Sequence, residues 1–312
     1  MRAVVVPRPG DPTVLELADL AEPVPAPGQV VVGVEAAGVN PVDIGNRLDN
    51  TWASLECPYV LGYEFSGTLL DVNGCRTDLR PGDPVWGALP VRGTRWGAYA
   101  EQVAVDLAHV ARRPPELDAA GAAAVPLAGG TAAQVLERLR LPREAWLLVY
   151  GAGGGVGHLL VQLAVQQGLR VAAVGSDRDR ERVLALGAEV WVGREADDAA
   201  ATVAAELGHD LDAAVDLVGG RLPEAQESVR DGGQLATIVD LTGSFETAVD
   251  RNLTLHGVLM RPRRDTLDQL RDAVSAGLRP RVVATFALED AATAHERLEA
   301  GGLGGKLTLS PR

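Results

Sequence analysis

Residues 148–164 read LVYGAGGGVGHLLVQLA: an apolar run, five glycines within positions 151–157, then a helical pattern. Two needs leave so little side chain between a strand and a helix. One is a tight turn with nothing bound, and the other is a backbone that must come close to a phosphate. The G-x-G-x-x-G spacing alone is weak, and its context decides how much it means. Here Val156, Leu159, Leu160, Leu163 and Gln167 fall on nearly one helical stripe, mostly apolar. A second apolar run, RVAAVG, begins at the distance a βαβ unit requires. Gly153, Gly154, Gly155, Val156 and Gly157 are therefore candidate phosphate-binding residues. Glycine supplies positive φ and removes Cβ bulk, and the free N–H groups at the helix start favour an anion. A purely structural turn is the alternative.

The 312 residues suggest about two domains. Up to about Asp118, short β-like runs such as RAVVV, QVVVGVEAAGV, YEFSGTLLDV and AYAEQVAV are split by Gly- and Pro-rich breaks, which predicts a barrel- or sandwich-like β-domain. Beyond it strands and helices alternate through WLLVY, RVAAVG, EVWV, AAVDLV, QLATIV and LHGVLM, the pattern of a doubly wound parallel sheet. The tail from RVVATF returns to strand–helix–strand, so a C-terminal strand can rejoin the first domain. The fold class is α/β, with residues 1–118 and 279–312 in one domain and 119–278 in the nucleotide-binding one.

Composition excludes several functions. A net charge of −13 with no basic block argues against nucleic acid. No stretch reaches the roughly 18 apolar residues of a spanning helix. The opening MRAVVVPRPGDP lacks a signal-peptide pattern, and two cysteines, Cys57 and Cys75, make no disulfide framework, so a cytoplasmic protein with free thiols is expected. Of 29 basic residues only Lys306 is a lysine, which looks like coding bias toward arginine.

An NAD site usually carries an acid about 20 residues past the glycines, on the ribose diol. Here the second strand ends in Val174 and Gly175, followed by SDRDR. Ser176, with Arg178 and Arg180 as countercharge, suits the 2′-phosphate of NADPH. The same residues also read as a surface helix start with Asp177 as its N-cap.

The segments GVNPVD, LGYEFSG, GAYAEQVAV, VPLAGGTAAQVL, YGAGGGVG, VDLVGG and GGKLTL, in this order, resemble the zinc-independent quinone oxidoreductases of the medium-chain dehydrogenase/reductase superfamily. The resemblance runs nearly end to end. It implies a GroES-like substrate domain built from both termini around a Rossmann domain, with NADPH in the cleft between them, and usually a homodimer or homotetramer. It implies hydride transfer from NADPH to a quinone or to an activated double bond of an enone or enoyl thioester. It places Gly130, Thr131, Leu241, Val258 and Met260 near the nicotinamide, and Val218 and Gly219 along the adenosine. Zinc-dependent relatives have Cys and His where this chain has Asn40 and Tyr63. The four-cysteine lobe is absent and the histidines lack ligand spacing, so no metal is expected.

Asn40 should line the active site, although a turn residue before Pro41 is an equally good local account. With Tyr63 and Arg47 it makes the candidate catalytic set, Arg47 as a ligand for an anionic or carbonyl-bearing substrate or as a surface arginine. The chain departs from the family at Gly45, where a tyrosine is usual, and at Asp179, where a lysine is. His158 is expected to cap or face solvent, and Trp52 and Trp96 to line a pocket or to pack. The loss of the tyrosine keeps open a non-redox reading, a cyclase or dehydratase of a secondary metabolite, because fold does not fix function. A cofactor-sensing protein without turnover ranks last.

Overall fold

The computed structural model describes residues 1–311. In chain order its elements are β1 (Arg2–Val6), β2 (Glu16–Asp19), β3 (Gln29–Val39), α1 (Pro41–Leu48), β4 (Tyr59–Val60), β5 (Glu64–Asp71), β6 (Pro84–Ala88), β7 (Gln102–Asp106), β8 (Val110–Arg112), α2 (Ala119–Ala123) and α3 (Pro126–Leu139). Next come β9 (Trp146–Tyr150), α4 (Gly157–Gln166), β10 (Arg170–Gly175), α5 (Arg180–Ala185), β11 (Val190–Gly193), α6 (Ala199–Leu207), β12 (Leu211–Asp216), α7 (Leu222–Ala225), β13 (Val229–Thr237), α8 (Glu246–Asp250) and β14 (Thr254–Gly257). The chain ends with α9 (Arg264–Ser275), β15 (Val282–Ala287), α10 (Ala291–Glu299) and β16 (Lys306–Ser310). Among the described residues no helix is long and apolar enough to cross a membrane.

The compact units divide inside α3, at Gly130/Thr131, and at Met260/Arg261, rather than at 118 and 278. The shift has a packing cause. The small residues of α2 lie against β3 and β5, and α9 lies against β8, so both helices belong with the β-rich unit. Contact is so close that a Cβ on Gly38 would sit 2.6 Å from the Ala123 carbonyl oxygen.

In the unit Thr131–Met260 six strands pair in the order β11-β10-β9-β12-β13-β14, every pair parallel. This is the 3-2-1-4-5-6 order of the Rossmann sheet. The central strand, WLLVY, is buried along its whole length, as an unbroken apolar run in a sheet covered on both faces must be.

The other unit holds a seven-stranded sheet, β15-β16-β3-β5-β6-β8 with β7 also on β3, and a three-stranded sheet, β2-β1-β4. Eleven-residue β3 is its spine, pairing antiparallel with β5, β7 and β16. The last strand thus returns to the unit that the first strands begin.

Candidate functional site

Register decides what meets at the end of β3. β16 pairs with it as Leu307↔Val39 and Thr308↔Gly38, so one further step sets Lys306 opposite Asn40. β5 pairs as Phe65↔Ala37, which brings Glu64 beside Gly38. A Cβ on Gly38 would meet Glu64 Oε1 at 2.2 Å, so only glycine lets the glutamate pass. Glu64 Oε1 accepts from Asn40 Nδ2 at 2.9 Å and from Lys306 Nζ at 2.6 Å, and Oε2 accepts from the Leu127 N–H at 2.8 Å. Lys306 Nζ also donates to Asn40 Oδ1 and to the Val39 carbonyl. Asn40 is the N-cap residue of α1 with Pro41 behind it, as turn chemistry expects, but its side chain serves this cluster.

Below the cluster lies Asp43, fully buried. Its Oδ2 accepts from the Asn40 N–H at 2.8 Å and its Oδ1 from the Gly62 N–H at 2.9 Å. Burial pushes its carboxyl up to about 7, against these two donors and the nearby Lys306. The Tyr99 hydroxyl lies 3.2 Å from His295 Nε2, while His295 Nδ1 lies 3.1 Å from Arg47 Nη1. A guanidinium only donates, so Nδ1 accepts, and Nε2 carries the proton and donates to the Tyr99 oxygen. Burial, and then Arg47, pulls the His295 pKa down to about 3.

This corrects the expectation for Arg47. Its side chain is wholly enclosed, donating to the Gly10 carbonyl at 3.0 Å, to His295 and to Glu299 at 2.7 Å. It bridges α1 to α10 and offers no surface to a substrate. Tyr63 is also fully buried, its hydroxyl accepting from Asn46 Nδ2 at 2.7 Å, and burial raises it above the ordinary phenol range. Gly45 lies on α1, and a Cβ there would meet nothing within 4 Å. Trp52 and Trp96 are about half exposed and lie under the guanidinium groups of Arg92 and Arg95. Cys57 and Cys75 are free thiols. Among the described residues no three of His, Cys, Asp and Glu come together as metal ligands.

In the Rossmann unit the turn 151–157 is shaped by what glycine omits. Gly151 has φ of 80°, and a Cβ on Gly157 would stand 2.2 Å from the Gly151 carbonyl oxygen. Gly151 must also be bare because Val218 lies against it, 2.7 Å from an added Cβ. Val218 sits in a loop tied by Asp216, whose carboxylate accepts from the N–H groups of Val218, Gly219 and Arg221 at 2.8–2.9 Å. Val218, Val239 and Leu241 are each more than half exposed just past the carboxyl ends of β12 and β13, where a Rossmann sheet seats its ligand. Val258 and Met260 are nearly buried, as is Thr131 within α3, which also carries Gly130.

His158 does not face solvent. It is buried, and its Nδ1 donates to the Gly154 carbonyl at 2.8 Å, fastening the turn to α4. Ser176 Oγ accepts from Arg178 Nε at 3.1 Å, and Arg180 is exposed at the start of α5. Asp177 caps nothing, because its carboxylate accepts from Trp191 Nε1. Asp179 folds back over the glycines: its Oδ1 pairs with Arg182 at 2.7 Å and its Oδ2 lies against Gly153. Arg182 also donates to the Gly153 carbonyl at 3.1 Å.

Two families match consecutive parts of the chain, the alcohol dehydrogenase GroES-like domain over residues 26–115 and the zinc-binding dehydrogenase family over 186–309. The first assigns the β-rich unit as GroES-like. Across 91% of the chain, identity is 31% to the 2-methylene-furan-3-one reductase of Solanum lycopersicum, of which 72% is covered. It is 30%, at the same coverage of both chains, to the chloroplastic NADPH-dependent alkenal/one oxidoreductase of Arabidopsis thaliana. The solved quinone oxidoreductase of Coxiella burnetii superposes with a TM-score of 0.90 at 30% identity, over all of this chain and 99% of that one. The chain belongs to the quinone oxidoreductase family of the medium-chain dehydrogenases/reductases. In this member of the family, sequence reading missed Glu64, Asp216, Lys306, Tyr99 and His295. Of these, Asp216 had a local signal, an acid closing a strand just before paired glycines, and Lys306 stood out as the lone lysine.

Proposed function

We propose that the protein is an NADPH-dependent reductase that delivers hydride to a quinone or to the electrophilic carbon of a conjugated carbonyl compound, without a metal. The observation that carries this reading is the glycine turn opening α4, with no room for a Cβ at Gly157, on the central strand of a sheet in Rossmann order. The N–H groups of 153–157 would hold the pyrophosphate at the helix start. Ser176, Arg178 and Arg180 would hold the 2′-phosphate, and Val218 and Gly219 the adenosine. Gly130, Thr131, Leu241, Val258 and Met260 would flank the nicotinamide, and bound NADPH supplies the hydride. As hydride arrives, negative charge grows on the substrate's carbonyl oxygen, and Asn40 is the side chain proposed to meet it. The proton is taken to come from water, since Gly45 leaves open space at the position where the resemblance implies a tyrosine. Free Cys57 and Cys75 fit a reducing cytoplasm, and a homodimer is the assembly that the family suggests.

Titration with NADPH and NADH by nicotinamide fluorescence, followed by a panel of quinones and enones, tests the proposal. Tighter NADPH binding followed by its oxidation supports it. NADPH binding with no oxidation by any substrate overturns the reductase, and a product of unchanged mass, or one lighter by a water, would favour the non-redox reading that Gly45 motivates.

A further inference from the structure

The chain uses arginine for 28 of its 29 basic residues and keeps one lysine, which is 4% exposed. A bias that replaces lysine everywhere else makes its single survival at 306 a matter of chemistry. An ammonium is a compact donor of three hydrogens, whereas a guanidinium is a planar fork of five. Lys306 Nζ has three acceptors: the Val39 carbonyl, Asn40 Oδ1 and Glu64 Oε1. Three donors meet three acceptors at one point, and the fork of arginine would fit neither their number nor their convergence.

The same arrangement fixes Asn40. An ammonium cannot accept and a carboxylate cannot donate, so Oδ1 must face Lys306 and Nδ2 must face Glu64. One hydrogen of Nδ2 goes to Glu64, and among the described residues the other meets no acceptor, so it is available to a ligand. A cation on the amide oxygen draws electron density from the nitrogen and strengthens that remaining N–H as a donor. We infer that Lys306 is a positioning residue for Asn40: it sets and polarises the amide so that its free N–H donates to the substrate's carbonyl oxygen as charge develops there. This rests on the reductase reading above and names the device by which that site would meet its substrate.

A lone lysine makes the test unusually direct. Lysine labelled with ¹⁵N at Nζ gives the protein a single side-chain ammonium resonance. Asn40→Ala removes one of its acceptors, so the resonance is expected to move; an unmoved resonance overturns the geometry. For function, Lys306→Met is combined with Glu64→Gln, because removing one partner would strand a buried charge and threaten the fold. In this double variant NADPH affinity should stay within twofold. Its kcat with 1,4-naphthoquinone should fall at least tenfold, with KM for the quinone changing less than threefold. A kcat within twofold of wild type overturns the inference alone. Wild-type protein that binds NADPH but reduces no probe overturns the reductase reading, and the inference falls with it.

Discussion

The glycine turn of the Rossmann unit and the polar cluster at the end of β3 show opposite ways to prepare a site. The turn works by omission. Its space comes from missing side chains at Gly151 and Gly157, and every part lies within seven consecutive residues. The cluster works by filling. Asn40, Glu64 and Lys306 occupy the space themselves, and they come from positions 24, 242 and 266 residues apart. A turn made of backbone has no charge to compensate, whereas a buried ammonium and carboxylate hold each other in place and fail separately. The difference teaches that local economy is readable from a string of letters, and mutual compensation is not.

The most severe way to break the cluster is to neutralise one side of the ion pair. Glu64→Gln leaves the Lys306 ammonium without its carboxylate and should cost about 3–5 kcal/mol, while the Glu64→Gln/Lys306→Met pair should cost much less. Urea unfolding of the three proteins measures both, and a double variant no more stable than Glu64→Gln would show that a stranded ammonium is not the source of the loss. At the turn, Gly157→Ala forces a Cβ into the Gly151 carbonyl. It should cost about 1–3 kcal/mol in stability and weaken both NADPH and NADH, as read by melting temperature and fluorescence titration.

The buried network also predicts an acid response that the turn lacks. Folded His295 resists protonation down to about 3, whereas the unfolded imidazole takes a proton below about 6.5. Its folded pKa is depressed, so its contribution is present above 6.5 and is lost as pH falls from there toward 3. Asp43 is raised to about 7, so its contribution has the opposite sign: present at low pH and lost as pH rises toward 7. His295→Leu should therefore flatten the acid limb of a stability–pH curve. An unchanged limb would place the acid sensitivity elsewhere.

The smallest effect sharpens the comparison at the turn itself. Asp179 sets a carboxylate over Gly153 beside the proposed 2′-phosphate residues, where its charge opposes a second anion. Asp179→Asn should raise the preference for NADPH over NADH by roughly tenfold, about 1.4 kcal/mol, in competition binding. Equal changes in both affinities would mean that Asp179 only braces Arg182.

The fold was largely legible because its signals are periodic and local. Gly-Pro breaks announced the short strands of the first unit, and strand–helix alternation announced the parallel sheet of the second. Boundaries slipped at α2 and α9, whose helical pattern looks the same whichever unit they pack on. Arg47 was misjudged for a related reason, since nothing near position 47 tells that Gly10, His295 and Glu299 will surround it. Asp179 was visible as a departure, but its place over Gly153 depends on how the chain turns after β10.

The two architectures, the phosphate-suited turn and the family could be read from the string of residues, because each is written in spacing along the chain. It took the folded chain to show that Lys306 and Glu64 hold Asn40, that Asp43 accepts from its N–H, that Tyr99 meets His295, and that Arg47 is enclosed. The first of those relations is set by the register of β3 with β5 and β16, and the enclosure of Arg47 by the packing of α1 against α10. Register is a property of strands meeting in a sheet, and no single stretch of chain contains it.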